Sequence, residues 1–298
     1  MEDVVIIGAG PAGLTAAIYV QRAGKHAVVF EKSVPGGQIV KTLEIQNYPS
    51  IRTISGADFA GNLYQHAVDL GAEVRFEAVT GLDVSGKNKF VTTENGLVEA
   101  KAIIIATGAN SRKLGLEKED DFLGKGISYC ATCDGMFFKN QTVAVVGGGN
   151  TALGDAMFLS NYCNKVYLIV RSEISGEQTM VDELLQKDNV EIILNASVKK
   201  LVGKEKLEKI VVLKKSGEEL SLPTSGLFVA IGQIPSNNEF KNVIKTNSFG
   251  YIEAGEDCKT NIPGVFVAGD NRDKQIRQLT TACSDGTIAA LAAIEFIK

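Results

Sequence analysis

The sequence is poor in residues that mark several classes of function. It contains only two histidines, five cysteines and no run of lysine and arginine among 298 residues. Its formal net charge of -4 and the lack of a basic run argue against a nucleic-acid partner. No stretch approaches the roughly 18 consecutive apolar residues that a bilayer-spanning helix needs. We therefore expect neither a nucleic acid nor a membrane among its partners.

The cysteines are too few and too scattered for a disulfide scaffold. Three stand alone in the sequence, and we expect them to be buried apolar residues: Cys163, Cys258 and Cys283. The other two form one close pair, Cys130 and Cys133. The chain also runs from Met1 almost directly into a predicted strand, without the pattern of a signal peptide. Together these features favour a cytoplasmic protein with one redox-active pair.

Half of a zinc site is the main alternative for the C-x-x-C pair. Such a site needs two further ligands. The only histidines are His26 and His66, both far away in the N-terminal part, and there is no second C-x-x-C. We therefore expect redox chemistry at the pair and no metal.

A glycine-rich turn near the N-terminus has the context of a dinucleotide-binding site. The apolar run Val4–Ile7 predicts a buried strand, followed by G-x-G-x-x-G at residues 8–13 and a helix from Leu14. A second strand, residues 27–30, ends at Glu31, a position from which a carboxylate accepts from ribose hydroxyls. Glycines let the backbone approach a pyrophosphate at the helix N-terminus. The expected binding residues are Gly8, Gly10, Ala12, Gly13 and Glu31.

The same pattern recurs 139 residues later, since Gly8 corresponds to Gly147. A strand over residues 142–146 precedes G-x-G-x-x-A, a helix and another strand at 165–170. Here Val170 replaces the carboxylate, and Arg171 next to it offers a partner for a 2′-phosphate. This weakly favours NADPH over NADH. The expected binding residues are Gly147, Gly149, Asn150, Thr151, Ala152 and Arg171.

A strand that leads into a turn also recurs after each glycine fingerprint, and this recurrence predicts the domain organisation. A strand enters a turn at residues 102–108, including Ala106, Thr107 and Gly108, and again at 226–232. A third such strand, 265–270, has no fingerprint of its own, so we expect it to return to the first domain. The sequence predicts an α/β fold of two Rossmann-like nucleotide-binding domains, with the second inserted into the first. The expected division is 1–113, 114–233 and 234–298.

The order of these motifs suggests a route for electrons from a nucleotide to a flavin and then to a disulfide. At this point the chain resembles the low-molecular-weight thioredoxin reductases along its whole length. The motifs that carry the resemblance are GAGPAGLTAAIY at 8–19, GGQ at 36–38, QNYPS at 46–50, ATGA at 106–109, GISYCATCDG at 126–135, AIGQIPSN at 230–237, AGD at 268–270 and Arg277-Gln278. The CATCD segment is the most specific of them.

The resemblance implies a homodimer with FAD in the first domain, which passes electrons from a nicotinamide to Cys130–Cys133 and on to a thioredoxin. By position, Gly8, Gly10, Gly13 and Glu31 would hold the ADP half of FAD. Cys133 would face the flavin, Cys130 would attack the partner's disulfide, and Asp134 would be the general acid; the alternative for Asp134 is a plain helix N-cap. The residues expected on the flavin side are Gly37, Gln38, Asn47, Asp270, Arg277 and Gln278.

One departure from the family leaves the electron donor open. Its NADPH-specific members carry HRRxxxR where this chain has residues 170–176, and only Arg171 of the three arginines remains. Each lost charged hydrogen bond would weaken NADPH binding by about 1.5–3 kcal/mol, so we expect a relaxed preference over NADH. The alternatives are the same fold reduced by ferredoxin, a dithiol oxidase, and a flavin redox sensor without rapid turnover.

Overall fold

The structure is a computed structural model that describes residues 1–86 and 88–298. Its described residues form six α-helices and seventeen strands. The helices are α1 (Pro11–Arg22), α2 (Gly56–Asp69), α3 (Ala131–Asp134), α4 (Asn150–Ser160), α5 (Gln178–Leu185) and α6 (Leu279–Phe296). The strands are β1 (Glu2–Ile7), β2 (Ala27–Phe30), β3 (Glu73–Arg75), β4 (Val79–Asp83), β5 (Lys89–Thr93), β6 (Gly96–Ile105), β7 (Ala109–Ser111), β8 (Ile127–Ser128), β9 (Thr142–Val146), β10 (Lys165–Ile169), β11 (Val190–Ile193), β12 (Ala196–Val202), β13 (Lys209–Lys214), β14 (Glu219–Pro223), β15 (Gly226–Val229), β16 (Gln233–Pro235) and β17 (Val265–Val267).

The chain divides into two compact units. Unit 1 comprises Met1–Asn110 and Ile234–Lys298, and unit 2 comprises Ser111–Gln233. The backbone therefore passes between the units twice, once within β7 and once within β16. No helix in the described part of the chain is both long and apolar enough to cross a bilayer.

Unit 1 is built on a sheet in the order β3-β2-β1-β6-β5-β4. The strands β3, β2, β1 and β6 run parallel to one another, and β17 pairs with β6 in the same direction. Strand β5 is antiparallel to both of its neighbours, β6 and β4. The last four residues of β1 are fully buried, as expected for a strand covered on both faces. The carboxyl ends of β1, β6 and β17 consequently lie at one edge of the sheet.

Two helices cover one face of this sheet, and their close packing explains the alanines and glycines at their contact. Helix α6, predicted as an apolar helix near the C-terminus, packs along α1. A Cβ at Gly286 would lie 2.2 Å from the carbonyl oxygen of Ala12, so only glycine fits that approach. Ala289, Ala290 and Ala293 continue the same buried face of α6. The alanine run belongs to the core of unit 1.

Unit 2 repeats the parallel arrangement in the order β11-β10-β9-β15-β8. A separate antiparallel sheet, β12-β13-β14, contributes one face to a second core. Helix α4 follows β9 as α1 follows β1 in unit 1. The short helix α3 packs against α4 and follows β8 after two residues. The two units therefore share one plan, as the repeated fingerprints predict.

Candidate functional site

The first glycine turn packs tightly where Gly8 and Gly13 lie and has free space at Gly10. Gly8 has a φ of 106°, and a Cβ there would lie 2.5 Å from the carbonyl oxygen of Ala106. A Cβ at Gly13 would lie 1.9 Å from the carbonyl oxygen of Gly8. A Cβ at Gly10, by contrast, would meet no atom within 4 Å. The turn packs tightly on the sheet and leaves room for a pyrophosphate above the start of α1, where Ala12 lies in the first turn.

Glu31 closes one side of this turn. One carboxylate oxygen accepts from the backbone N–H of Ala9 at 2.9 Å, and the other accepts from that of Ser33 at 2.9 Å. The two bonds hold the carboxylate at the end of β2, beside the open turn. This is the position from which it would meet ribose hydroxyls.

The turn after β6 supplies the next expected residues. The backbone N–H of Ala106 donates to the carbonyl of Ile7, which continues the β1–β6 pairing into the turn. The Thr107 hydroxyl donates to Oδ1 of Asn237 at 3.1 Å, and Gly108 has a φ of 68°. The bond to Asn237 joins the turn after β6 to the segment in which the chain returns from unit 2 to unit 1.

Three exposed residues expected on the flavin side are held by local contacts. Gly37 lies beside the first turn, since a Cβ there would lie 3.4 Å from Cα of Gly10. Gln38 donates to Oδ1 of Asn110 at 2.5 Å, and Asn47 donates to Oε1 of Gln278 at 3.4 Å. Gln38 and Gln278 therefore both have partners within unit 1.

The side chain of Asp270 is the feature of unit 1 that indicates a bound ligand. Its Oδ1 atom is buried and has no hydrogen-bond partner among the described residues. Burial raises the pKa of this carboxyl. A buried polar oxygen without a partner is rare and costs free energy unless a bound group supplies a donor. The ribityl hydroxyls of FAD are such donors, so the residues present fit that cofactor.

A buried carboxylate that sequence reasoning missed holds the Asp270 loop. Asp285 of α6 is only 4% exposed. It accepts from the backbone N–H of Gly269, from the Arg272 guanidinium and from the Lys274 ammonium at 2.9–3.2 Å. Burial acts to raise the pKa of Asp285, but the Arg272 and Lys274 side chains hold it below its usual range. No local motif links a helix residue with a loop eleven to sixteen positions earlier, so the sequence offered no signal for it.

Arg277 adds a cation to the same loop. Its Nε donates to the carbonyl oxygen of Asp270 at 3.3 Å, and its guanidinium lies 4.2 Å from the centroid of the Tyr251 ring. The next residue, Gln278, caps α6 through a reciprocal pair of bonds with Thr281. The two expected residues therefore lie between the Asp270 loop and the first turn of α6.

The second glycine turn, in unit 2, has the same construction as the first. Gly147 has a φ of 147°, and a Cβ there would lie 2.3 Å from the carbonyl oxygen of Ala230, the counterpart of Ala106. At Gly149 the nearest atom to a Cβ would be the Ser175 hydroxyl oxygen at 3.9 Å. Thr151 and the buried Ala152 occupy the first turn of α4.

Asn150 is hydrogen-bonded to Glu177, a residue that follows β10 in the chain. Its Oδ1 accepts from the backbone N–H of Glu177 at 2.7 Å, and its Nδ2 donates to the Glu177 carboxylate at 3.1 Å. A negative charge therefore lies beside the turn that would receive a pyrophosphate. Nothing in the sequence spacing indicates this pair.

The segment after β10 determines how a 2′-phosphate could be bound. Val170 is buried, and Arg171 is exposed without a described hydrogen bond or ion pair. At Gly176, where the family's third arginine would stand, a Cβ would lie 2.4 Å from Leu153 Cδ1 and 2.8 Å from Asn150 Oδ1. This packing excludes a larger side chain unless its neighbours move.

Cys130 and Cys133 form a disulfide, with their Cα atoms 5.3 Å apart. Cys130 precedes α3, and its carbonyl oxygen accepts from the backbone N–H groups of Cys133 and Asp134. Asp134 is the last residue of that helix and directly precedes a 3-10 turn over Gly135–Phe138, but its side chain makes no capping hydrogen bond to that turn. Its Oδ2 accepts from the Ser128 hydroxyl at 2.6 Å, and burial raises the pKa of the carboxyl. The pair and the expected acid are thus neighbours on one short turn.

The other cysteines do not resemble reactive thiols. Cys163 and Cys258 are buried, and Cys283 is partly buried. Burial raises the pKa of Cys163 to about 11 and that of Cys258 to about 12. Their thiolates are therefore scarce near neutral pH.

Residues 2–286 match the pyridine nucleotide-disulphide oxidoreductase family. The chain belongs to this family. It is 44% identical over 99% of its length to a 34.2 kDa protein of the rubredoxin operon of Clostridium pasteurianum, and covers 97% of that protein. It is 40% identical to the thioredoxin reductase of Listeria monocytogenes, over 99% of this chain and 94% of the other.

A solved structure agrees with these sequence relatives. The thioredoxin reductase of Streptococcus pyogenes superposes with a TM-score of 0.95 at 36% identity, over 99% of this chain and 98% of that one. The predicted fold class and the resemblance to thioredoxin reductases are thereby confirmed. Membership of the family implies FAD and a nicotinamide cofactor, without deciding between NADPH and NADH.

Proposed function

We propose that the chain is an FAD-dependent thioredoxin-disulfide reductase that takes electrons from a nicotinamide. The observation that carries the proposal is the Cys130–Cys133 disulfide, which lies beside a partly buried Asp134 in the unit that contains the second glycine turn. The thioredoxin reductases among its relatives support thioredoxin, or a thioredoxin-like protein, as the disulfide partner.

Unit 1 supplies the FAD site in this proposal. Gly8, Gly10, Gly13 and Glu31 would hold the ADP half, and the unpartnered Oδ1 of Asp270 would accept from the ribityl chain. Asp285 keeps the Asp270 loop in place. The bound FAD supplies the step between two-electron hydride transfer and dithiol chemistry.

The residues of unit 2 perform the exchange with the partner. Reduction of the Cys130–Cys133 disulfide takes two electrons and two protons, and Asp134 gives or takes one proton beside it. The Cys130 thiolate attacks one sulfur of the partner's disulfide, and the partner's other sulfur leaves as a thiolate that takes up a proton. Cys133 then attacks Cys130, which releases the second partner sulfur and restores the intramolecular disulfide.

The charges beside the second turn support a nicotinamide donor with weak discrimination. Arg171 is the one arginine left to meet a 2′-phosphate, which weakly favours NADPH. Glu173 and Glu177 lie in the same stretch and oppose a phosphate-rich ligand. We therefore propose that NADPH and NADH are both accepted and that their catalytic efficiencies differ little.

Anaerobic titration of the flavin absorbance tests the donor. NADPH, NADH, reduced ferredoxin and a dithiol are added separately to the holoenzyme, and oxidised thioredoxin or oxygen is added afterwards. Rapid bleaching by a nicotinamide, followed by recovery with thioredoxin, is the expected result. Bleaching by reduced ferredoxin alone would show that ferredoxin, and not a nicotinamide, is the electron donor. The assignment as a thioredoxin reductase would then still stand. Bleaching by a dithiol, with recovery in oxygen, would identify a dithiol oxidase, and no turnover with any thioredoxin would favour a redox sensor.

The resemblance also leads us to propose that the enzyme is a homodimer. Sedimentation equilibrium of the holoenzyme measures this directly. A mass near twice the chain mass of 31.8 kDa is the expected result, and a mass equal to one chain at micromolar concentration would exclude a stable dimer.

A further inference from the structure

Ser128 lies at the centre of the hydrogen bonds around Asp134. It ends β8, two residues before Cys130, and is only 4% exposed. Its hydroxyl oxygen accepts from the backbone N–H of Cys130 at 3.0 Å. Its hydrogen has two possible acceptors, Asp134 Oδ2 at 2.6 Å and the carbonyl oxygen of Cys130 at 3.3 Å.

A serine hydroxyl has one hydrogen to donate and can accept two. When Asp134 is ionised, the short charge-assisted bond to Oδ2 takes the hydrogen. When Asp134 is protonated, its own O–H can donate to Ser128, and the Ser128 hydrogen can turn to the carbonyl oxygen of Cys130. The bond from the Cys130 N–H stays the same in both states. Ser128 therefore keeps hydrogen bonds to the Cys130 N–H and to Asp134 Oδ2 in either state, and it keeps its own proton throughout.

We propose that Ser128 is a positioning residue whose hydroxyl turns between Asp134 and the Cys130 carbonyl as Asp134 loses and regains its proton. The proposal rests on the acid role of Asp134 in the proposed function. It explains how a partly buried carboxyl next to the disulfide can change charge while it keeps its hydrogen bond to Ser128. It also links the protonation of Asp134 to the backbone of the cysteine that would attack the partner.

Burial has the largest effect on the pKa of Asp134, which it raises, and the Ser128 hydroxyl is the hydrogen-bond donor that opposes it. No charged side chain in the described part of the chain adds to these two effects. The residues of the following turn, 135–138, carry no titratable group, while α4, which packs on α3, carries Asp155, whose pKa burial raises to about 7.

Carbon-13 NMR of the oxidised full chain tests the proposal without any donor or thioredoxin. The Asp134 carboxyl resonance, assigned with Asp134→Asn, is followed against pH in the wild type and in Ser128→Ala. Loss of the bond to the ionised form should move the titration midpoint upward by about one pH unit. Ser128→Thr, which keeps the hydroxyl, should restore most of the wild-type midpoint.

Ser160→Ala is the matched control. Ser160 is 8% exposed in the same unit and donates to the carbonyl of Met157 at 2.7 Å, and no carboxylate is among the described hydrogen-bond partners of its hydroxyl. This variant loses a comparable buried hydroxyl and should leave the Asp134 midpoint unchanged. A midpoint that stays or falls in folded Ser128→Ala would overturn the proposal.

A measurement on the wild type covers the case in which Ser128→Ala does not fold. The carbonyl resonance of Cys130 should titrate with the same midpoint as Asp134, because the Ser128 hydrogen reaches it only when Asp134 is neutral. An insensitive Cys130 carbonyl would refute the turning hydroxyl. Absent turnover with thioredoxin, together with the expected NMR shifts, would refute the proposed function alone.

Discussion

At the scale of single residues, the disulfide pair has no equivalent elsewhere in the described chain. The redox assignment predicts that Cys133→Ser and Cys130→Ser each keep bound FAD and lose thioredoxin reduction, because the thiolate is both nucleophile and electron carrier. Flavin absorbance and turnover measure the two properties separately. Cys163→Ala, which alters a buried cysteine outside the site, should keep turnover. Wild-type turnover in either serine variant would exclude the pair as the electron carrier.

Asp270 gives a second residue-scale prediction. Asp270→Ala should weaken FAD binding at least tenfold, since a lost charged hydrogen bond is worth about 1.5–3 kcal/mol and 1.4 kcal/mol is about tenfold. The ratio of flavin to protein absorbance after dialysis, with FAD titration of the apoprotein, measures this. Asp273→Asn is the matched control, because Asp273 lies three residues away with an exposed side chain. Equal FAD affinity in Asp270→Ala and wild type would remove Asp270 from the site.

How far the site can be predicted depends on how its residues are linked. The turn at residues 8–13 and the pair Cys130–Cys133 are local patterns, so spacing alone reveals them. Asp270 was expected from its place after a strand, but its unpartnered oxygen is a property of the folded loop. Asp285 and Ser128 are defined by partners on other elements, and serine or aspartate at such positions is unremarkable in sequence. They become recognisable only when burial and hydrogen bonds are known.

At the scale of elements, substitutions in the segment after β10 can separate two electrostatic effects on nucleotide binding. Ser172→Arg should raise the catalytic efficiency with NADPH relative to NADH, because only NADPH carries the added phosphate. Glu177→Gln should strengthen binding of both nucleotides similarly, because the pyrophosphate is common to them. Steady-state kinetics with each nucleotide measures both ratios.

Ser172→Gln is the control for side-chain size without charge. Gly176→Arg is a poor test, since a Cβ at Gly176 already meets Leu153 and Asn150. An unchanged NADPH/NADH ratio in Ser172→Arg would show that this segment does not read the 2′-phosphate.

A second element-scale prediction concerns the segment that leads into unit 2. Glu119 is 3% exposed, and its carboxylate accepts from the backbone N–H groups of Leu114 and Gly115 at 2.8 Å and from the Tyr129 hydroxyl at 2.8 Å. Glu119→Gln replaces one acceptor oxygen with a donor that faces these donors. The free energy of unfolding should fall by about 2–3 kcal/mol, measured by denaturant titration of the holoprotein.

The neighbouring Asp120 provides the control. It forms an exposed ion pair with Lys113, with side chains 71% and 55% exposed. Such pairs contribute about 0–1 kcal/mol, so Asp120→Asn should change stability little. Equal effects of the two substitutions would show that the Glu119 carboxylate does not fasten the segment.

At the scale of the whole molecule, the distribution of sites over the units imposes a condition on turnover. The disulfide and the second glycine turn both belong to unit 2, whereas the expected FAD residues belong to unit 1. A nicotinamide and the disulfide must each reach the same isoalloxazine ring, and two sites on one rigid unit cannot occupy that position together. We therefore expect unit 2 to rotate relative to unit 1 in every cycle.

The hydrogen bonds of the connecting segments indicate where the backbone can turn. Leu114 and Gly115 are fastened to Glu119 and so belong to the rigid part of unit 2. The dihedral changes are therefore expected in residues 111–113 on one connection and at Gly232, which has a φ of 97°, on the other.

An engineered crosslink between the units that holds the disulfide at the flavin tests this rotation. Exchange of electrons between flavin and dithiol should persist, because both groups remain in contact. Reduction by a nicotinamide and delivery to thioredoxin should stop, because each needs the other arrangement. Stopped-flow absorbance resolves the exchange, and steady-state turnover reports the complete cycle. Reductive cleavage of the crosslink should restore the cycle, which separates a blocked motion from a damaged site. Undiminished multiple turnover in the crosslinked enzyme would rule the rotation out.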